Sequence, residues 1–138
     1  MVILSVDIGT VRTGVAISDA GASFAFPKTV ITERNRERLL ARLLDVIKEN
    51  GAEEIVVGLP RNMDGSLGFK AEECTAFAEK LKKASGLPVS LWDERCTTVL
   101  AHDALSRSGV HGKKRKEVVD AVAAVMILED YIKFRKNK

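Results

Sequence analysis

The sequence predicts an α/β protein in which a five-stranded mixed sheet carries helices on both faces. Three observations lead to this expectation. Short apolar runs separated by turns fill the first 31 residues, apolar strands then alternate with helical stripes, and glycine or proline marks most junctions. Short turns join antiparallel strands, whereas helical crossovers join parallel ones. The 138 residues are expected to form one domain, spanning residues 1–138.

The N-terminal region predicts three antiparallel strands. Residues 2–8 form an almost continuous apolar run rich in Val and Ile, which is typical of a strand buried on both faces. Residues 9–14 are expected to form a turn and residues 15–18 a second strand. After a short turn at residues 19–21, a third strand ends near Ile31. Together these segments predict an antiparallel meander.

The rest of the chain predicts helices alternating with strands. Apolar residues at helical spacing between positions 39 and 47, followed by Gly51 as a stop signal, predict the first helix. Strands four and five are predicted at residues 54–59 and 88–94. The remaining segments are predicted as helices at about 69–84, 98–106 and 117–134, with a basic loop at 107–116. The later strands should lie parallel to the first strand.

The overall composition is that of a soluble globular protein, with 46% hydrophobic residues, 30% charged residues and a net charge of +3. The N-terminus has no basic leader, and no apolar run reaches the roughly 18 residues of a membrane span. The two cysteines, Cys74 and Cys96, show no zinc-like spacing and are expected to be free thiols. We therefore expect a cytoplasmic protein with no membrane partner.

Acidic residues end two of the predicted strands. Asp7 closes the first strand, and the pair Asp93 and Glu94 closes the fifth. The carboxyl ends of parallel strands meet at one edge of a sheet, where ligands collect. Because side chains alternate along a strand, only one member of the pair can easily share a site with Asp7. Spacing alone does not choose between them, and Asp7 could alternatively serve only as a cap at the junction between strand and turn.

Asp120 is the third acidic candidate. Ala123, Ala124 and Ile127 lie at helical spacing from it and form a small apolar stripe that should face the sheet closely. A neighbouring cation or backbone N–H could satisfy such a carboxylate. Alternatively, three carboxylates converging on one edge would need a divalent cation such as Mg²⁺ or Mn²⁺. Two such ions can activate a water for phosphodiester hydrolysis.

Basic residues provide candidate contacts to nucleic acid. Arg12 could clamp a phosphate beside the metal ions, or it could be a surface charge on a hairpin. A basic run could contact the nucleic-acid backbone, or it could be a solvated loop: Lys113, Lys114, Arg115 and Lys116. The only Trp is Trp92 and the only Tyr is Tyr131, so the sequence predicts no platform for base stacking.

Four segments, at residues 7–19, 58–66, 93–98 and 120–124, resemble the YqgF/RuvX family. This family is described as Holliday junction resolvases and as nucleases for the 5′ end of pre-16S ribosomal RNA. The matching segments occur in the family's order and span nearly the whole chain. The resemblance implies a ribonuclease H-like fold.

The resemblance also implies a set of site residues. Its acidic site falls on Asp7, Glu94 and Asp120, which selects Glu94 over Asp93. These three residues would be catalytic and would bind Mg²⁺ or Mn²⁺. Asn62 and Arg95 lie in the matching segments and become candidate nucleic-acid-binding residues, although the loop holding Asn62 could equally require only a tight turn.

The sequence leaves four functions to be distinguished. The first is a metal-dependent nuclease that processes precursor rRNA, free or within ribosomal particles. The second is a Holliday junction resolvase, which would need a homodimer because it cuts two symmetric strands, whereas the first could be a monomer. An ATP-binding protein of the actin and sugar-kinase type would need two such domains. A non-catalytic module binding nucleic acid or ribosomes would not need three inward carboxylates.

Overall fold

The computed structural model describes residues 1–59, 69–93 and 112–136, with the backbone alone at positions 69 and 112–121. The described residues form five strands: β1 (Ile3–Asp7), β2 (Arg12–Ser18), β3 (Ala25–Thr32), β4 (Glu54–Leu59) and β5 (Val89–Asp93). They also form three helices: α1 (Arg36–Asn50), α2 (Phe69–Ser85) and α3 (Gly112–Lys136).

The five strands form one mixed sheet in the order β3-β2-β1-β4-β5. The strands β1, β2 and β3 pair antiparallel, as short turns require, and β1, β4 and β5 pair parallel. This confirms the predicted mixed sheet. The central strand β1 is buried on both faces, since Ile3, Leu4 and Val6 are all 0% exposed. Its continuous apolar run reflects that position.

Local signals in the sequence account for both ends of α1. Asn35 caps the N-terminus, and its side chain accepts a 3.0 Å hydrogen bond from the Arg38 backbone N–H. At the other end Gly51 has φ of +63°, a left-handed conformation that favours glycine, and its N–H donates to the Lys48 carbonyl. Between the caps, Leu39, Leu43 and Ile47 are buried. The predicted first helix and its stop signal are confirmed.

The two faces of the sheet are covered by different helices. On one face, α1 and α2 pack over alternate strand residues in a cluster that includes Leu4, Val6, Leu39, Ile55, Phe77 and Leu81. On the other face, α3 packs over the intervening strand residues in a cluster that includes Ile3, Val56, Ala124, Ile127 and Leu128. The expectation of helices on both faces is therefore confirmed.

A polar network fastens the C-terminal part of α3 to the sheet. The buried carboxylate of Glu54, at the start of β4, accepts a hydrogen bond from the Tyr131 hydroxyl and lies 3.6 Å from the Arg135 Nε. Burial and the hydrogen bond to Glu54 raise the pKa of Tyr131. The Tyr131 ring also packs edge-on against Trp92, with ring centroids 5.7 Å apart. The end of α3 therefore lies over the start of β4.

Two predicted boundaries were wrong. The last helix begins at Gly112 rather than near residue 117, so Lys113, Lys114, Arg115 and Lys116 lie on α3 and not in a loop. Lys and Arg are good helix formers, and no proline interrupts this segment. Similarly, β2 begins at Arg12, before its apolar stretch, because Arg12 pairs with Thr32 of β3.

Two predicted segments lie outside the described residues, namely the loop at 60–68 and the helix at 98–106. None of the described helices combines the length and the apolar character that a membrane crossing would require.

Candidate active site

The parallel strands β1, β4 and β5 end at the same edge of the sheet. Val6 of β1 pairs with Val57 of β4, and Leu59 of β4 pairs with Asp93 of β5. Asp7 is therefore the last residue of the central strand at this edge. Its side chain is half-buried, at the end of a strand that is apolar except for Ser5. The predicted edge position of Asp7 agrees with the structure.

Asp7 lies on the sheet face that α3 covers. Side chains alternate along a strand, so Asp7 shares a face with Ser5 and Ile3. Ile3 belongs to the α3 cluster, and the Ser5 hydroxyl donates a 2.6 Å hydrogen bond to the Ala124 carbonyl of α3. Val6 points to the opposite face, into the cluster of α1 and α2. The carboxylate of Asp7 therefore belongs to the side of the sheet that carries the Asp120 helix.

The Ser5–Ala124 hydrogen bond also fixes the position of α3 along the axis of β1. The end of α3 lies over the start of β4, which is parallel to β1, so α3 runs antiparallel to β1. From Ser5 to Asp7 the strand rises about 6.6 Å toward the site edge. From Ala124 back to position 120 the helix advances about 6 Å in the same direction. The backbone therefore brings position 120 of α3 to the level of Asp7.

Asp93 lies on the opposite face from Asp7. Trp92 packs against the α3 cluster, so its neighbour Asp93 faces the side of α1 and α2. Asp93 is exposed and ends β5 beside Leu59. Glu94 follows directly in the chain, outside the described residues. Because side chains alternate along a strand, Asp93 and Asp7 therefore lie on opposite faces of the sheet.

Arg12 shares the face of Asp7. Asp7 pairs with Gly14 across the antiparallel β1–β2 ladder, and Arg12 lies two residues from Gly14 on the same face of β2. The Arg12 side chain is half-buried. A guanidinium in this position is suited to bind an anion beside the Asp7 carboxylate. The structure therefore brings together Arg12 and Asp7, although Arg12 lies in a strand rather than in the predicted turn.

The turn after Asp7 needs glycine at position 9. A Cβ built at Gly9 would overlap the Arg12 carbonyl oxygen, which is a backbone atom that cannot easily move away. Two cations from other elements also hold this turn. Arg36 donates a 3.0 Å hydrogen bond to the Gly9 carbonyl, and the Lys70 Nζ lies 3.3 Å from the Thr10 hydroxyl. The chain immediately after Asp7 is thereby anchored to the starts of α1 and α2.

Several predicted site residues lie outside what the structure describes. Asn62, Glu94 and Arg95 are outside the described residues, as is the side chain of Asp120. For the basic run at positions 113–116 the structure describes only the helical backbone. Within the described part of the chain, no three His, Cys, Asp or Glu side chains form a cluster that could hold a metal ion. The assignment of these residues stays a prediction.

Sequence reasoning missed three residues that shape this edge. Ser5 is a polar residue in an apolar strand with the same alternation as Asp7, so its inward position could have been recognised from the pattern. Arg36 and Lys70 gave no such signal, because their contacts to residues 9 and 10 span 27 and 60 residues of sequence. Only the folded chain shows that they hold the Gly9 turn.

The topology is that of a ribonuclease H-like fold, and a comparison with solved structures agrees. The structure of Thermus thermophilus RuvC in complex with Holliday junction substrate aligns with a TM-score of 0.64, covering 100% of this chain and 97% of that one. The sequence identity is 17%, so this likeness concerns the fold.

Sequence comparisons then identify the family. A family model described as "RuvX: Holliday junction resolvase" matches residues 1–134, and the chain belongs to this family. A relative from Lachnospira eligens is 42% identical over 140 aligned residues, covering 99% of this chain and 100% of the relative. A relative from Moorella thermoacetica is 46% identical over 132 residues, covering 96% and 94%. Both carry the name "Putative pre-16S rRNA nuclease".

Proposed function

We propose that this protein is a divalent-metal-dependent nuclease that hydrolyses phosphodiester bonds in the 5′-end processing of pre-16S ribosomal RNA. One observation carries the proposal. The Ser5–Ala124 hydrogen bond sets α3 against β1 so that position 120 comes level with Asp7, on the sheet face that also holds Arg12. An aspartate at each of these two backbone positions, with a guanidinium on the same face, would suit metal-assisted chemistry on a phosphate.

The proposed metal ligands are Asp7, Glu94 and Asp120, which would also be the catalytic residues. Carboxylate oxygens are the donors that Mg²⁺ and Mn²⁺ prefer, so the donor set fits either ion. A divalent cation held there would supply Lewis-acid activation for phosphodiester hydrolysis. The half-buried position of Asp7 supports this role, because partial burial strengthens its attraction for a cation.

The proposed substrate contacts surround this acidic site. Arg12, on the face of Asp7, would bind the phosphate next to the scissile bond through its planar guanidinium. Asn62 and Arg95, which follow β4 and β5 in the chain, would contact the same strand. The cationic positions on the first turns of α3 would bind the nucleic-acid backbone without reading its sequence: Lys113, Lys114, Arg115 and Lys116.

The relatives support precursor rRNA as the substrate. Two proteins at 42% and 46% identity, aligned over nearly their whole length, are named for a nuclease of pre-16S rRNA. The proposal places the protein in the cytoplasm, where the precursor is present either free or in assembling ribosomal particles. A monomer would suffice for cutting one strand.

A second candidate is resolution of Holliday junctions, which the description of the matching family favours. This activity would need a homodimer that presents two acidic sites to symmetric strands. A non-catalytic nucleic-acid or ribosome-binding module is the remaining alternative. It would keep the fold and the basic positions but would not depend on the carboxylate of Asp7.

The test compares two labelled substrates, a pre-16S rRNA fragment with its 5′ extension and a four-way DNA junction, each incubated with purified protein and Mg²⁺. Asp7→Asn runs beside the wild type, because it removes the charge with almost no change in shape. Asp45→Asn is the matched control, since Asp45 is an exposed aspartate on α1.

We expect the wild type and Asp45→Asn to shorten the RNA at its 5′ extension and Asp7→Asn to leave it intact. Paired symmetric nicks in the junction, with the RNA left intact, would favour the Holliday junction resolvase over the RNA-processing nuclease. If the wild type binds but never cuts either substrate, the non-catalytic module becomes the better account.

A further inference from the structure

A cationic pocket lies beside the site edge, on the sheet face opposite α3. It has a volume of about 190 Å³ and lies between the start of α1 and one face of α2. The residues that line it include Ile8, Arg36, Lys70, Glu73, Phe77 and Lys80. The two helices therefore frame an opening next to the end of β1.

The charge in this pocket is predominantly positive. Among the described residues that line it, Arg36, Lys70 and Lys80 contribute three cations and Glu73 contributes one carboxylate. Lys80 is exposed and forms no ion pair within the described part of the chain. The floor is apolar, because Ile8 and Phe77 are only 6% and 5% exposed. A low-polarity floor strengthens the attraction between these cations and an anion.

The pocket is continuous with the site edge through the chain itself. Ile8, which lines it, directly follows Asp7. Arg36 holds the Gly9 carbonyl, and Lys70 lies 3.3 Å from the Thr10 hydroxyl. Lys80 lies further along the same helix, about 15 Å from Lys70 at 1.5 Å of rise per residue. The cations thus extend from the turn after Asp7 along α2.

We propose that this cationic pocket binds the phosphodiester backbone of the nucleic-acid strand that passes the Asp7 edge. The inference rests on the proposed function, since that function brings a strand to Asp7. A strand bound there must leave the edge on one side, and the Gly9 turn leads directly to Arg36, Lys70 and Lys80. The pocket therefore extends the substrate surface from the α3 face to the opposite face of the sheet.

Lys80 provides the sharpest test, because it is exposed and does not hold the Gly9 turn. The probe is a labelled single-stranded RNA carrying the 5′ precursor sequence. Its Kd is measured by fluorescence anisotropy over a series of salt concentrations, in an Asp7→Asn background that keeps the probe intact. Lys80→Ala and Lys80→Glu are compared with Lys82→Ala, an exposed lysine of the same helix that does not line the pocket.

We expect Lys80→Ala to weaken binding about fivefold and to lower the salt slope of log Kd by about 0.7, the value for one lost phosphate contact on a single strand. Lys80→Glu should weaken binding further, and Lys82→Ala should change it less than about twofold. Wild-type affinity and salt slope in Lys80→Glu would overturn the proposal.

The outcome can be separated from that of the nuclease proposal, because binding is measured without cleavage. Weakened binding in Lys80→Glu supports the pocket even if no substrate is ever cut. If cleavage depends on Asp7 but neither cleavage nor RNA binding changes in Lys80→Glu, the pocket proposal fails and the nuclease proposal stands. If Lys80→Glu instead abolishes binding of a poly-glutamate peptide and spares the RNA, the pocket serves an acidic protein segment and the proposal fails.

Discussion

Substituting Ser5 by alanine should loosen the contact that sets α3 against β1. Ser5 is 0% exposed, and its hydroxyl donates a 2.6 Å hydrogen bond to the Ala124 carbonyl. The substitution removes this donor, but the Ala124 carbonyl keeps its hydrogen bond within the helix, so no buried group is left without a partner. We therefore expect a loss of about 1 kcal/mol in the free energy of unfolding, the ordinary net value of one hydrogen bond.

The activity should fall more than this stability loss would suggest. The Ser5–Ala124 contact holds position 120 level with Asp7, and a displacement of about 1 Å in a catalytic group can cost about 100-fold in rate. A shift of a fraction of this size should lower the rate of RNA cleavage by about tenfold. The stability is measured by urea unfolding followed through the fluorescence of Trp92, which packs against Tyr131 of α3.

Ser23→Ala is the matched control, because Ser23 is exposed in the turn between β2 and β3. It should change neither the free energy of unfolding nor the cleavage rate. If Ser5→Ala unfolds and cleaves like the wild type, the contact does not set the position of α3, and the reasoning that brings position 120 to Asp7 is refuted. If Ser5→Ala lowers the stability but leaves the cleavage rate unchanged, only the link between this contact and catalysis is refuted.

Two further predictions concern buried polar groups. Thr13 is 0% exposed and its hydroxyl finds no hydrogen-bond partner within the described residues, so Thr13→Val should raise the free energy of unfolding by about 1 kcal/mol in urea denaturation; a loss of stability would contradict this. Tyr131 is the only tyrosine in the sequence, so the absorbance of tyrosinate reports the ionisation of this residue alone. Burial should hold its pKa above 10.0. Because the unfolded chain releases this proton first as the pH rises, the stabilising contribution of Tyr131 is present below pH 10.0 and is lost above it. A titration at or below the ordinary tyrosine pKa would show that burial and Glu54 do not act on this hydroxyl.

The sheet and the edge that holds the candidate site could be predicted from the sequence. A run buried on both faces identified β1 as a central strand, and Asp7 at its end identified the edge. Helical spacing on Ala123, Ala124 and Ile127 identified the stripe of α3 that packs on the sheet, since all three are at most 1% exposed. These features depend on local periodicity, which the sequence displays directly.

Features that depend on distant parts of the chain could not be predicted. The start of α3 at Gly112 was not predicted, because a run of Lys and Arg is equally typical of a solvated loop and of an exposed helical turn. The anchoring of the Gly9 turn by Arg36 and Lys70 was also missed, because it joins the starts of two helices to the end of one strand. No periodicity encodes such contacts.

The central claim is that Asp7 belongs to a divalent-metal site that cuts nucleic acid. The most direct measurement is the single-turnover rate of pre-16S rRNA cleavage as a function of Mg²⁺ concentration, starting from protein treated with a chelator, for the wild type and for Asp7→Asn. The account predicts no cleavage without metal, a saturable return of activity with Mg²⁺ for the wild type, and a rate at least about 100-fold lower for Asp7→Asn at every concentration. Cleavage that persists in excess chelator, or an Asp7→Asn protein that responds to Mg²⁺ like the wild type, would contradict it.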